Sequence, residues 1–86
     1  MKFDNDSELY AHIGQTIKYY RLNANLTQGQ LADEAGISLS YLSKIEAVGC
    51  DKSISLSTLN QIANALSLEI NTFFKKGNDI RSKQIM

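Results

Sequence analysis

The stretch TQGQLADEAGISLSYLSKIE, residues 27–46, decides how this chain is read. It holds two short runs with apolar residues at helical spacing and a glycine between them. TQGQ is a capping box: Thr27 is placed to cap a helix, and Gln30, three residues on, reaches back to it. Leu31, Ala32 and Ala35 form the apolar stripe of that helix, and Gly36 ends it as a C-terminal cap. Ile37 and Ser38 lead into a second helix, which turns Leu42 and Ile45 inward and closes at Glu46. Two short helices joined by so small a turn must cross steeply to share a core. Gly36 supplies the positive φ that the turn needs, and Ala32 is small where a larger side chain would push the helices apart.

That crossing exposes the other side of the second helix. At about 100° per residue, Ser40, Ser43 and Lys44 lie opposite Leu42 and Ile45, with Leu39 and Tyr41 on the flanks. The face is short, polar and shaped to enter a groove. Serine donates to or accepts from base edges, lysine reaches guanine O6 and N7, and leucine touches a thymine methyl. Low charge suits a surface that reads bases while other groups hold phosphates. The plainer alternative is a solvated helix face, with Ser38 serving as its N-cap.

Working outward, residues 1–8 read as a polar lead. Ser7 is placed to cap a first helix that runs to Asn23, with Glu8 in its first turn and Leu9, Ile13, Ile17 and Tyr20 at helical spacing. Asn25 tolerates the left-handed conformation that ends it. After Glu46, residues 47–53 form a loop. SISLS, residues 53–57, alternates with period two, but Leu56, Leu59, Ile62, Ala63 and Leu66 predict a helix over 56–66. Glu69, Ile70, Phe73 and Phe74 predict a short fifth helix. The expected fold is therefore all-α with five helices: a domain over 9–76, its helix-turn-helix at 28–46, and a C-terminal tail over 77–86.

Composition agrees and excludes much. A chain of 86 residues, 43% hydrophobic and 21% charged, fits one small globular domain. The absence of proline and the presence of only 5 glycines favour helices. Nine Lys and Arg balance nine Asp and Glu, a neutrality unusual for a nucleic-acid binder. The charges are uneven, however: Asp4, Asp6 and Glu8 crowd the start, and Lys75, Lys76, Arg81 and Lys83 the end. The single cysteine, Cys50, cannot form an internal disulfide. With no membrane-length apolar run and no signal-peptide core at the N-terminus, the expected location is cytoplasmic. His12 has no ligand spacing around it. There is no nucleotide-binding glycine loop, no Cys/His metal cluster and no Ser-His-Asp set. Nothing points to an enzyme, a cofactor, a metal or a small-molecule ligand.

IGQTIKYYRLNANLTQGQLADEAGISLSYLSKIE (residues 13–46), followed by SLSTLNQIANALSLEINTFF (55–74), resembles the helix-turn-helix domain of the Cro and phage-repressor regulators. This is the lambda-repressor-like fold of the xenobiotic-response-element family. The resemblance implies a sequence-specific binder of double-stranded operator DNA, acting as a homodimeric transcriptional regulator and most simply as a repressor. It places Gln28 on phosphate, with Thr27 and Lys52 as further phosphate candidates. It places Leu39, Ser40, Ser43 and Lys44 on bases, and Ser38 and Tyr41 on backbone or nearby bases. It pairs Arg21 with Glu46, for which a purely structural role is the simpler reading. It also assigns dimer contacts to Ile70, Phe73 and Phe74; neighbouring helical residues point about 100° apart, so at least one of the two phenylalanines should face outward. Two other roles fit the same residues. One is a restriction–modification controller acting as activator or repressor. The other is a protein-interaction module, an antitoxin or adaptor that docks through INTFF (70–74) and the tail.

Overall fold

A computed structural model describes residues 3–47 and 53–75. The elements follow in the order α1 (Asp6–Asn23), α2 (Gln28–Ala35), α3 (Leu39–Glu46), α4 (Leu56–Ala65) and a 3-10 helix (Ile70–Phe74), with no strand among the described residues. Lys52, Cys50 and the tail over 77–86 lie outside the described residues.

Two expectations about the elements need correction. Among the described residues four α-helices form, not five, because Ile70–Phe74 closes as a 3-10 helix. Its bonds span three residues: Thr72 N–H donates to Glu69 O at 3.0 Å and Lys75 N–H to Thr72 O at 3.4 Å. A five-residue segment bounded by extended backbone at Glu69 and Lys75 is too short to establish an α-helical ladder. In addition, α1 starts inside the predicted polar lead. Asn5, not Ser7, is its cap, accepting from Glu8 N–H at 2.8 Å. Asp6 and Glu8 then occupy the first turn, where the helix dipole favours carboxylates.

Three of the helices end alike. After α1, Leu26 N–H donates back to Arg21 O; after α2, Ile37 N–H to Ala32 O; after α4, Leu68 N–H to Ala63 O. Each six-to-one bond requires a left-handed residue just before its donor. Those residues are Asn25 (φ 60°), Gly36 (φ 73°) and Ser67 (φ 59°). Gly36 and Asn25 take the left-handed conformation expected of them, and Ser67, whose residue type gives no such signal, takes it as well. Ser55 caps α4 by accepting from Thr58 N–H at 3.1 Å, which settles SISLS as a helix start rather than a strand.

The core gathers Ile13 and Ile17 of α1, Leu31 of α2, Leu42 and Ile45 of α3, Leu59 and Ile62 of α4, and Phe73. α1 packs against α3 and the 3-10 helix, while α2 packs against α3 and α4. Phe73 is 0% exposed, so its assignment to a dimer surface is wrong: within one protomer its ring is already enclosed by the helices. Ile70 and Phe74 are half-buried, packed against the edge of the core. Phe3 and Lys75, the first and last of the described residues, both reach His12. Its Nε2 bonds the Lys75 carbonyl, and the Phe3 ring lies 5.1 Å from the imidazole between ring centres.

Two backbones also come close at Gly14, where α1 meets the end of α3. A Cβ built on Gly14 would stand 2.0 Å from the Ile45 carbonyl oxygen. Ala32 is buried, as expected of a small residue in the shared core. The residue that lets α1 lie against the end of α3, however, is this mid-helix glycine.

Candidate nucleic-acid interface

α3 is held on three sides. Its N-terminus is capped by Ser38, whose Oγ accepts from Tyr41 N–H at 3.0 Å. Its inner face puts Leu42 (0% exposed), Ile45 and Glu46 into the core. Its C-terminus is bonded by Gln15 of α1, whose Nε2 donates to Glu46 O at 3.1 Å. Leu39, Ser40 and Lys44 are left exposed on the outer side, with Tyr41 and Ser43 half-buried at its margins. Ser40 and Lys44 are exposed as the periodicity predicts, whereas Ser43, expected beside them, is half-buried and Leu39, expected on a flank, is exposed. Leu39, at 51% exposed, is an apolar residue presented to solvent at the very start of the helix.

Glu46 also accepts a forked guanidinium. Arg21 Nε donates to Oε2 and Nη2 to Oε1, both at 2.8 Å, while Nη1 donates to Leu26 O at 2.8 Å. The two fixed parallel bonds suit arginine and would not be matched by lysine. The hydrogen bonds to Glu46 raise the Arg21 pKa; burial opposes this and the Glu46 charge adds to it. The pair is buried, which supports the structural reading of these two residues. Removing one member would strand the other charge at about 3–5 kcal/mol.

The pair extends to the surface through Gln28. Gln28 Nε2 donates to Glu46 Oε1 at 3.1 Å, and Ser43 Oγ donates to Gln28 Oε1 at 3.0 Å. Arg21, Glu46, Gln28 and Ser43 thus form one chain from α1 through α3 to the first residue of α2. Gln28 is seated there by the capping box: Thr27 Oγ1 accepts from Gln30 N–H at 3.0 Å, and Gln30 Oε1 from Thr27 N–H at 2.8 Å. Sequence reasoning found Gln28 and Ser43 separately but not the bond between them. It missed Gln15 and Gly14 altogether. Gly14 did leave a signal, since a glycine inside an apolar helical pattern implies a packing reason.

Among the described residues, no group of three or more His, Cys, Asp and Glu side chains gathers as a metal would require, and no helix is long and apolar enough to cross a membrane. The arrangement offers instead a capped, rigidly seated helix with hydroxyl, amine and methyl groups on its free side.

Comparison with known proteins agrees. Residues 17–73 match the family described as Helix-turn-helix. The chain belongs to that family, of the Cro and phage-repressor type, whose members are DNA-binding transcriptional regulators and not enzymes. It is 39% identical over 72 residues to the immunity repressor protein of Bacillus phage phi105, a match covering 84% of this chain and 49% of that protein. It is also 39% identical over 62 residues to the transcriptional regulator SlrR of Bacillus subtilis (strain 168), covering 72% and 40% respectively. The chain thus spans half or less of the length of these two curated relatives. Among solved structures, the restriction-modification controller protein C.AhdI from Aeromonas hydrophila matches with a TM-score of 0.69 at 29% identity, covering 76% of this chain and 96% of that one.

Proposed function

We propose that this chain is the operator-binding part of a cytoplasmic transcriptional regulator, most simply a repressor, which grips a palindromic duplex as a homodimer. The unit that binds runs from Asp6 to Lys75. α3 lies in the major groove, and two such helices meet half-sites about 34 Å apart. Leu39, Ser40, Ser43 and Lys44 face bases. Ser38 and Tyr41 face the sugar-phosphate backbone or nearby bases. Thr27, Lys52 and Gln28 face phosphate, Gln28 using the amide N–H that Glu46 leaves free. The half-buried Ile70 and Phe74 supply dimer contacts.

The observation that carries this reading is the two-sidedness of α3. Leu42, Ile45 and Glu46 are buried while Leu39, Ser40 and Lys44 on the same helix are exposed and unused by the fold. The immunity repressor of phage phi105 and the controller C.AhdI, by their descriptions, regulate. Repression acts by blocking polymerase, and activation from an upstream site uses the same surface. Lys44→Ala combined with Ser40→Ala is expected to abolish operator binding while leaving the dimer intact. Affinity is also expected to fall as salt rises, through counterion release from phosphates. An affinity indifferent to salt would favour a module that docks another polypeptide. Phe74→Asp is expected to yield monomers; a variant still dimeric by sedimentation would move the interface elsewhere.

A further inference from the structure

The geometry points to Ser43 as a one-way reader: its hydroxyl presents only lone pairs to the groove, and so selects a base bearing an amino group. The inference rests on the reading of α3 as the base-contacting helix and adds the polarity of one contact.

The polarity is imposed from the interior. Glu46 has both carboxylate oxygens bonded to Arg21, and Oε1 also accepts from Gln28. A carboxylate only accepts, so Gln28 must turn its NH2 toward Glu46. The opposite end of the same planar amide, Oε1, then faces Ser43 at 3.0 Å. An amide oxygen also only accepts, so Ser43 must donate its single hydroxyl proton to it. What Ser43 has left is acceptor capacity. A free serine is ambiguous toward bases; this one is not. On the strand it meets, its partners are adenine N6 or cytosine N4, and the acceptor edges of guanine (O6, N7) and thymine (O4) are repelled. Gln28 acts here as a positioning residue, and the Arg21–Glu46 pair as the anchor that orients it.

The test uses the intact chain and duplex DNA. Sequences are first selected from a randomised duplex library with the wild-type chain, and selection is repeated with Ser43→Ala to find the position whose preference Ser43 controls. At that position the wild type is expected to choose adenine or cytosine on one strand. Replacing that adenine by purine, or that cytosine by 2-pyrimidinone, deletes the amino group. The deletion should weaken wild-type binding about threefold to tenfold, as for one hydrogen bond, and leave Ser43→Ala unaffected. Ser43→Thr keeps the hydroxyl and should keep the preference. Gln28→Leu frees the hydroxyl proton: affinity should drop on all sequences alike, while guanine and thymine become tolerated at that one position. Selection of guanine or thymine by the wild type would overturn the assignment, as would a Gln28→Leu variant that folds and keeps the wild-type preference. If Gln28→Leu does not fold, the amino-deletion pair with Ser43→Ala and Ser43→Thr decides alone. A wild-type chain that selects a clear sequence, none of whose positions responds to Ser43→Ala, sinks this inference and spares the DNA-binding reading. A chain that selects no sequence at all sinks both.

Discussion

Replacing Gly14 with alanine is expected to destabilise this fold, although the same change in an open helix interior stabilises by about 1 kcal/mol. The sign reverses because of what stands beside the added methyl. It would lie 2.0 Å from the Ile45 carbonyl oxygen and 3.1 Å from the carbonyl carbon, where Cβ contacts under 3.0 Å are essentially never found. Both obstacles are backbone, so no rotamer change relieves them. α1 and the end of α3 would have to part by about 1 Å, the shortfall of the 2.0 Å contact from the 3.0 Å limit. Overpacking a close-packed interior costs about 1–3 kcal/mol, and a clash with backbone belongs at the upper end of that range. Set against the gain in helix propensity, the net loss is about 1–2 kcal/mol. For a domain of this size that lowers Tm by roughly 4–16 °C, readable by circular dichroism during heating. The displacement falls where Gln15 bonds Glu46 O and where Arg21 grips the Glu46 carboxylate. DNA affinity should therefore also fall at temperatures where the variant remains folded. An alanine variant as stable as the parent, or more so, would refute the close approach and with it the account of how α3 is seated.

Gly36→Val is expected to cost about 1–3 kcal/mol through backbone strain alone, since nothing lies within 4 Å of a Cβ built there and only its φ of 73° forbids a side chain. Gly36→Asn should recover much of that loss in the same melting assay, because asparagine tolerates the left-handed region; equal losses for the two would indicate a steric cause. Ser67→Gly, at a φ of 59°, should stabilise by about 0.5–1 kcal/mol, the left-handed strain relieved less the extra chain entropy of glycine; a lower Tm would contradict it. Phe73→Ala should cost about 3–5 kcal/mol at every protein concentration, because the ring is core. A loss that vanished at high concentration would return Phe73 to a dimer surface.

The helix-turn-helix was legible because its signals are local. A capping box at Thr27 and Gln30, a left-handed glycine at Gly36 and an apolar stripe on each side act within a few residues, so spacing alone reveals them. The exposure of Ser40 and Lys44 on α3 followed from the same periodicity. Less could be read at the ends. Asn5 and Ser7 are both residue types that cap well, and spacing does not distinguish a helix that starts two residues earlier. The segment Ile70–Phe74 has helical spacing, but length and flanking extended backbone decide between α and 3-10, and spacing says little about either.

By itself the chain determined an all-helical domain, the position of its sharp turn and the exposure of Ser40 and Lys44 on α3, since each depends on backbone propensities and periodicities confined to neighbouring residues. Only the tertiary structure decided that Phe73 is core, that Gly14 is where two backbones touch, and that Ser43 is tied through Gln28 and Glu46 to Arg21. Those facts depend on atoms far apart along the chain: Arg21 and Glu46 are separated by 25 positions, and the order of residues carries no record of which distant groups the folded packing brings within bonding distance.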